Sequence, residues 1–465
     1  MLVKQRLTYL SMVGIVLLIT LACNIPSSPP VDDLISPPSD QVEPEAQVQI
    51  TSKPDPEPDP EPDPVRDLID LLIPTGDELK LAKSYFNQEK SVLISVFELE
   101  NVNTQYALTD IYALVHAFDA NGTELSTATN YIDFLLPGEK TMVVSDLWLA
   151  EGQITDSVTI DWEFGLSENA YVESSLQTRS PRVFYNESLE AYTITGVISN
   201  SSPQTYLELR VDAVGLNNAG EIIGGGYTYI THIPGNNNAG FRFPGYFEEE
   251  PASIEFFPGK SLMTVDDDTS GLHQNLEIVD SNYINYQSVM GGGFIIKNVG
   301  NQVINRFDTY LTFYDQDGSV CEVSISTGNL IFPGEISGFS SFSSLLPQNC
   351  NFGEYELIII PIESSGHELS NNPLKTENIQ YGSGNYPKVT MTIINTYSKS
   401  INDAVVSVLL FNDKDEIISG GLAYVDAIPA IGTFEASVQV TSIGDEEPAR
   451  IEAYPGLTTW TSIGD

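Results

Sequence analysis

Residues 298–334 read NVGNQVINRFDTYLTFYDQDGSVCEVSISTGNLIFPG, and this stretch decides the fold. Asn298 closes one apolar run, an alternating run reaches Gly318, and a second run ends on Pro333-Gly334. The same punctuation recurs at Asn101, Gly122 and Pro137, at Asn200, Gly220 and Pro234, and at Asn395, Asp415 and Pro429. The Asn markers stand 99, 98 and 97 residues apart, so one unit of domain size is used four times. A repeat of that length can bury its own core, which a short solenoid repeat cannot.

The second repeat shows the strand pattern most clearly. Leu207, Leu209, Val211 and Ala213 alternate with Glu208, Arg210 and Asp212, the period of a strand with one wet face. Aligned on the Gly marker, Ile111, Ala113, Val115 and Ala117 fall on the inner face of the first repeat. Phe307, Thr309, Leu311 and Phe313 do so in the third, and Ala404, Val406, Val408 and Leu410 in the fourth. Each strand enters a turn that opens on Asp or Asn and closes on Gly122, Gly220, Gly318 or Asp415, which suits a type I turn completed by a left-handed residue. Pro then marks where pairing stops, because it has no N–H to donate.

With short strands throughout and no amphipathic helix between them, the expected fold class is all-β: four tandem immunoglobulin-like β-sandwich domains. Their expected extents are 77–165, 180–259, 273–362 and 367–456. The polar segments between them, such as 167–182 and 259–273, predict small interfaces and adjustable orientations.

The chain begins differently. Lys4 and Arg6 precede an apolar run from Met12 to Leu21, followed by Ala22 and Cys23, the layout of a secretory signal over 1–22. Thr20-Leu21-Ala22-Cys23 resembles the lipobox of bacterial lipoproteins, with Thr in place of the usual first Leu. That resemblance implies a lipid on Cys23, and with it export and anchoring to the bacterial cell membrane, facing away from the cytoplasm. Residues 23–76 follow as an expected disordered, Pro- and acid-rich tether. Within it, PDPEPDPEPDP at 54–64 favours extended polyproline II, because Pro fixes φ and the like charges repel. Asp67 to Ile73 leads into the first repeat as a short strand or a helical turn.

Over 465 residues, 20 Lys and Arg face 64 Asp and Glu, a net charge of −44. Such a field repels phosphate backbones, so no nucleic acid partner is expected.

The Asn, the strand ending in aromatic-Asp, the turn Gly and the Pro-Gly together resemble the FxLYD-type and related immunoglobulin-like repeats of bacterial surface lipoproteins. Leu311-Thr312-Phe313-Tyr314-Asp315 carries the likeness best; Ala117-Phe118-Asp119 and Leu410-Phe411-Asn412 are looser, and Gly215-Leu216-Asn217 departs most. The resemblance implies an exported, non-enzymatic module and specifies no catalytic residue.

Few residues point to chemistry. With Cys23 lipidated, Cys321 and Cys350 remain as a pair within one repeat, an expected disulfide. His116, His232, His273 and His367 fall one to a repeat at non-equivalent positions, with His116 on an outer face. Asp315-Gln316-Asp317-Gly318 and Asp266-Asp267-Asp268 offer oxygen ligands for Ca²⁺, but the first is already explained by its turn and no metal site is expected. Gly224 to Gly226 and Gly291 to Gly293 read as bulges or close backbone approaches. Most aromatics are expected in core or edge packing, and exposed ones such as Tyr112 and Tyr310, placed on outer faces, are able to stack on a sugar. No G-x-S-x-G or H-E-x-x-H is present. The expected function is a lipid-anchored structural or binding array for adhesion or envelope interaction, with an unknown protein or glycan ligand, no cofactor and no catalysis. A carbohydrate- or peptidoglycan-binding module is one alternative, and an accessory subunit of a surface hydrolase or transporter is another.

Overall fold

A computed structural model describes residues 76–168, 176–187, 190–260, 264–265, 275–286, 289–340, 346–347, 350–365, 369–441 and 447–464. Cys23, the tether, the 67–73 segment, Asp266 to Asp268, His273 and His367 lie outside the described residues.

Among the described residues the regular elements are all β-strands. The first repeat contributes β1 (Leu79–Glu89), β2 (Val92–Asn101), β3 (Ala107–Phe118), β4 (Glu124–Leu135), β5 (Lys140–Trp148) and β6 (Ser157–Ser167). The second contributes β7 (Leu176–Asn186), β8 (Ala191–Asn200), β9 (Thr205–Leu216), β10 (Ile222–Ile233), β11 (Asn237–Phe247), β12 (Ser253–Pro258) and the short β13 (Thr264–Val265). The third runs β14 (Leu276–Tyr286), β15 (Val289–Asn298), β16 (Val303–Asp315), β17 (Val320–Gly328), β18 (Ile336–Ser340) and β19 (Phe352–Ser365). The fourth runs β20 (Leu374–Gly382), β21 (Lys388–Asn395), β22 (Ile401–Phe411), β23 (Ile417–Ile428), β24 (Thr433–Gln439) and β25 (Arg450–Ile463).

The first two strands and the fifth of each repeat form one antiparallel sheet, as in β1-β2-β5, β14-β15-β18 and β20-β21-β24. The third, fourth and sixth form the facing one, as in β4-β3-β6, β17-β16-β19 and β23-β22-β25. We call these the leading sheet and the hairpin sheet. In the second repeat the two are joined at a corner, where Gly224 pairs Phe247 and Gly225 pairs Tyr246. The chain is thus all-β, built of small antiparallel sheets in immunoglobulin-like sandwiches.

Each sandwich closes over the rows of residues the alternation picks out. Ile111, Val115 and Ala117 pack with Phe97 and Leu147 in the first; Leu209, Val211 and Ala213 pack with Phe241 in the second. Ala404, Val406, Val408 and Leu410 lie in the core of the fourth. The hairpin turns have the expected form: Gly122, Gly220, Gly318 and Asp415 adopt φ of 78°, 76°, 84° and 63°. The glycine runs also allow close approaches, since a Cβ on Gly226 would overlap the Pro244 carbonyl and one on Gly293 the Phe339 carbonyl.

The Asn markers do more than end strands. Asn101, Asn200, Asn298 and Asn395 are buried, at 0–2% exposure, and each reaches from its leading sheet to the hairpin sheet. Asn101 Nδ2 donates to the carbonyls of Tyr106, Leu135 and Leu136 at 3.0–3.1 Å, while its Oδ1 accepts the Asn103 N–H. Asn200, Asn298 and Asn395 repeat the pattern on Pro234, Ile331 and Pro429. The near-constant spacing from Asn to Pro, 34 to 36 residues, follows from this: the amide needs the carbonyls where the fourth strand ends.

The repeats are not separate beads. The outer face of β1-β2-β5 packs on the outer face of β9 and β10, with Ile94, Val96 and Val144 against Val214. Val197 of β8 packs on Val320 and Val323 of β17, and Ile295 of β15 on Leu409, Phe411 and Ile417 of the fourth repeat. At each junction a leading sheet therefore covers the hairpin sheet of the following repeat. This corrects the expectation of small interfaces and a wet outer face: Arg210 is 8% exposed, Asp212 4% and Tyr310 1%. A period-two pattern with polar residues on one row does not distinguish water from a polar neighbouring sheet.

Candidate functional site

The first junction is held by a buried ion pair that binds backbone. Arg210 Nε and Nη2 donate to the two carboxylate oxygens of Asp212, each at 2.8 Å. Arg210 also donates to the Val144 carbonyl and, at 2.9 Å, to Asn130 Oδ1. Asp212 Oδ1 in turn accepts the Val144 N–H at 2.8 Å. The pair thus satisfies both backbone groups of Val144, a residue of the edge strand β5, as another strand would. The guanidinium lies 4.1 Å from the centre of the Tyr227 ring. Burial opposes the charge of Arg210, but Asp212 outweighs it and holds the guanidinium firmly protonated. Burial, then the 2.6 Å hydrogen bond to Asp146, pushes the Tyr227 phenol well above its ordinary range.

The second junction combines Arg182 Nη1 on Asp315 Oδ2 and Arg242 Nη1 on Glu322 Oε1, both at 2.7 Å. Thr195 Oγ1 donates to the Val320 carbonyl at 2.7 Å, and Tyr310 Oη lies 2.7 Å from Thr231 Oγ1. Beside it opens a cleft of about 320 Å³ shared by the second and third repeats, with Arg179, Asn238, Tyr314, Glu354, Tyr355 and Glu356 in its wall. The bulge at Ser180, with φ of 50°, sets Arg179 there. Arg179 donates to Asn238 Oδ1 at 2.6 Å and to Ser199. Asn238 and Tyr314 donate to the two oxygens of Glu356 at 3.1 and 2.8 Å. Arg179 and Glu354, both exposed, are left at the mouth. The cleft can take a small polar ligand by hydrogen bonds and one ion pair; the hydroxyl in its wall that meets a carboxylate, Tyr314 on Glu356, is a phenol that burial and then Glu356 push well above its ordinary range.

The third junction rests on small residues. A Cβ at Gly293 would overlap Leu409 and one at Gly338 the Tyr454 ring. Asn282 Nδ2 donates to the Ile417 carbonyl at 2.8 Å, and the Ser340 N–H to Ser407 Oγ at 3.0 Å.

Of the residues singled out from the sequence, Cys321 and Cys350 are joined in a disulfide. With a separation of 29 residues, that closure stabilises the third repeat by roughly 3.5 kcal/mol in the chain-entropy model. Asp315 Oδ1 accepts the N–H groups of Asp317 and Ser319, so its carboxylate serves the turn and Arg182. Among the described residues no group of three His, Cys, Asp or Glu side chains is placed to hold a metal ion. His116 sits on the outer face, its Nδ1 2.8 Å from Glu124, and His232 Nδ1 lies 3.9 Å from Asp308 at the second junction. Tyr112 stands 51% exposed beside Tyr131, ring centres 5.0 Å apart, whereas Tyr310 is covered. Sequence reasoning missed Arg179, Arg210 and Asp212 as junction groups. A signal of two-sided burial was present in β22, where Ala404 to Phe411 is apolar but for Ser407; β7 and β9, which carry the missed residues, show none.

No protein-family model matches the chain, and no curated protein matches it. Among solved structures it is similar to red sea bream transglutaminase at 12% identity and a TM-score of 0.15, over 39% of this chain and 29% of that one. The chain spans under a third of the transglutaminase's length.

Proposed function

We propose that this chain is a non-enzymatic, extracytoplasmic scaffold of the FxLYD-like kind, anchored by a lipid on Cys23 and raised from the membrane on its Pro-rich tether. The observation that carries the reading is the first junction, where Arg210 and Asp212 of one repeat satisfy the backbone of Val144 in another. An all-β, multi-domain chain suits a structural or binding role, and junctions of this kind make a spacer that holds a surface at a set distance. The Cys321–Cys350 disulfide fits an oxidising compartment. The cleft at the second junction is the natural place for a small polar ligand, a glycan or peptidoglycan fragment among them. Fractionation of cells fed labelled palmitate tests the anchor. The native chain should carry label and sediment with membranes, and Cys23→Ser should lose both. A Cys23→Ser chain that stays equally membrane-bound would contradict the proposal.

A further inference from the structure

The junctions follow one rule, and the rule leaves two faces over. On the outer row of the hairpin sheets at the junctions lie Arg210, Asp212 and Val214 in the second repeat, Asp308, Tyr310 and Thr312 in the third, and Val405, Ser407 and Leu409 in the fourth; Asp308 and Tyr310 meet Thr231 and His232 of β10. All nine are outward positions by the strand period, and of them Tyr310, Val214 and Leu409 are 1%, 0% and 0% exposed. The equivalent row of the first repeat is Tyr112, Leu114 and His116. Here Tyr112 is 51% and Leu114 37% exposed, and Tyr131, directly across the ladder, is 37% exposed. At the other end, the outer row of the last leading sheet is Lys388, Thr390, Thr392 and Ile394. Counted back from the Asn marker, Thr390 corresponds to Thr195, which bonds the third repeat, and to Gly293, against which Leu409 packs.

We infer that the β4-β3-β6 face is an acceptor for the β20-β21-β24 face of a second copy of this chain, in the same arrangement as the internal junctions. The charges agree with the second junction, where Arg182 and Arg242 of the leading sheet meet Asp315 and Glu322 of the hairpin sheet. On the acceptor face Asp161 lies opposite Leu114 and Glu163 opposite Tyr112, both acids exposed. On the donor face Lys375 lies opposite Ile394 and Lys388 begins the outer row, both exposed; Glu377 and Glu435 flank Thr392 between them, so it is the lysines at the two ends of the row that match the acids of the acceptor face. Two different faces of one molecule meet, so the contact is heterologous and propagates head to tail. This goes beyond the scaffold reading and does not depend on the lipid, since faces of this kind would pair in solution.

Sedimentation velocity of the full chain carrying Cys23→Ser, up to about 100 µM at physiological salt, reads the contact directly. The mass should rise with concentration. Leu114→Glu, on the exposed acceptor face, and Thr390→Glu, on the donor face, should each leave the chain monomeric with an unchanged melting temperature. Mixed one to one, the two variants should form dimers and stop there, because each retains the face the other lacks. A native chain that stays monomeric throughout overturns the inference, as does a mixture that forms nothing. Association that survives both substitutions also overturns it. So does a soluble peptidoglycan or polysaccharide preparation that protects Tyr112 and Tyr131 while the chain remains monomeric, since the face would then belong to a glycan.

Discussion

Asp212 of the second repeat accepts the backbone N–H of Val144 in the first at 2.8 Å, with both residues buried. Arg210 donates to the carbonyl of the same Val144 and to Asp212 itself, with Asn130 and Tyr229 as its further partners. Two side chains on one strand have taken the place of a neighbouring strand for another repeat.

Removing half of that pair should be costly. Arg210→Met leaves a buried carboxylate without its counter-charge, and the expected loss is about 3–5 kcal/mol in urea unfolding of the first two repeats. The double variant Arg210→Met/Asp212→Leu should recover part of it, because no lone charge then remains while both backbone groups of Val144 lose their partners. A single variant within about 0.5 kcal/mol of native would mean that the junction opens readily to water.

The Asn lock makes a second expectation. Asn298→Ala removes the donors that serve the carbonyls of Gln302 and Ile331, at 2.8 and 2.9 Å. The substitution also removes the acceptor of the Gly300 N–H, and at about 1 kcal/mol per hydrogen bond the third repeat should lose roughly 2 kcal/mol, although the Ile331 carbonyl keeps the Ile304 N–H. Asn298→Asp should be no better, since a carboxylate cannot donate. Chemical denaturation followed by tyrosine fluorescence measures both, and equal stability of Asp and Asn would refute the donor role.

Acid should weaken the fold from particular sites. Backbone hydrogen bonds from Thr123 and Asn121 hold the Asp119 carboxyl below its ordinary range. Hydrogen bonding with Asp315 and Ser319 does the same for Asp317. Burial raises Glu98, but Lys83 and Lys140 outweigh it, so that carboxyl is also lowered. Their folded values lie below the unfolded ones, so their stabilisation is full above about pH 5 and drains away as pH falls through the folded values. Glu335 works in the opposite sense: burial raises it despite hydrogen bonds from Asn372 and Phe332, and the folded chain takes up that proton first. Glu335→Gln should therefore steepen the acid loss in urea midpoints measured against pH. A shallower profile would contradict the assignment.

Much of this architecture is legible in the sequence, and the limit has a physical cause. The inner rows, the turns closed by Gly122 or Asp415 and the disulfide of Cys321 and Cys350 follow from steric and patterning rules that act within one repeat. The outer rows follow from what covers them. β3 alternates in burial because its outer face is wet, and it looks in sequence much like β9, where Arg210 and Asp212 are buried. A charged residue on an outer row means water in the first repeat and a neighbouring sheet in the second. The Asn marker was visible, but its amide acts on carbonyls more than 30 residues away, which spacing alone does not reveal.

The central claim is that the repeats form one stacked body rather than beads on a string. The measurement that tests it most directly is the distance distribution, by pulsed electron paramagnetic resonance, between spin labels at Asn121→Cys and Asp413→Cys. Both sites are exposed hairpin-turn residues, in the first and the last repeat. Stacked sheets require a single narrow distribution, broadened by Arg210→Met. A broad distribution in the native chain, unchanged by that substitution, would show that the repeats move independently and would contradict the account.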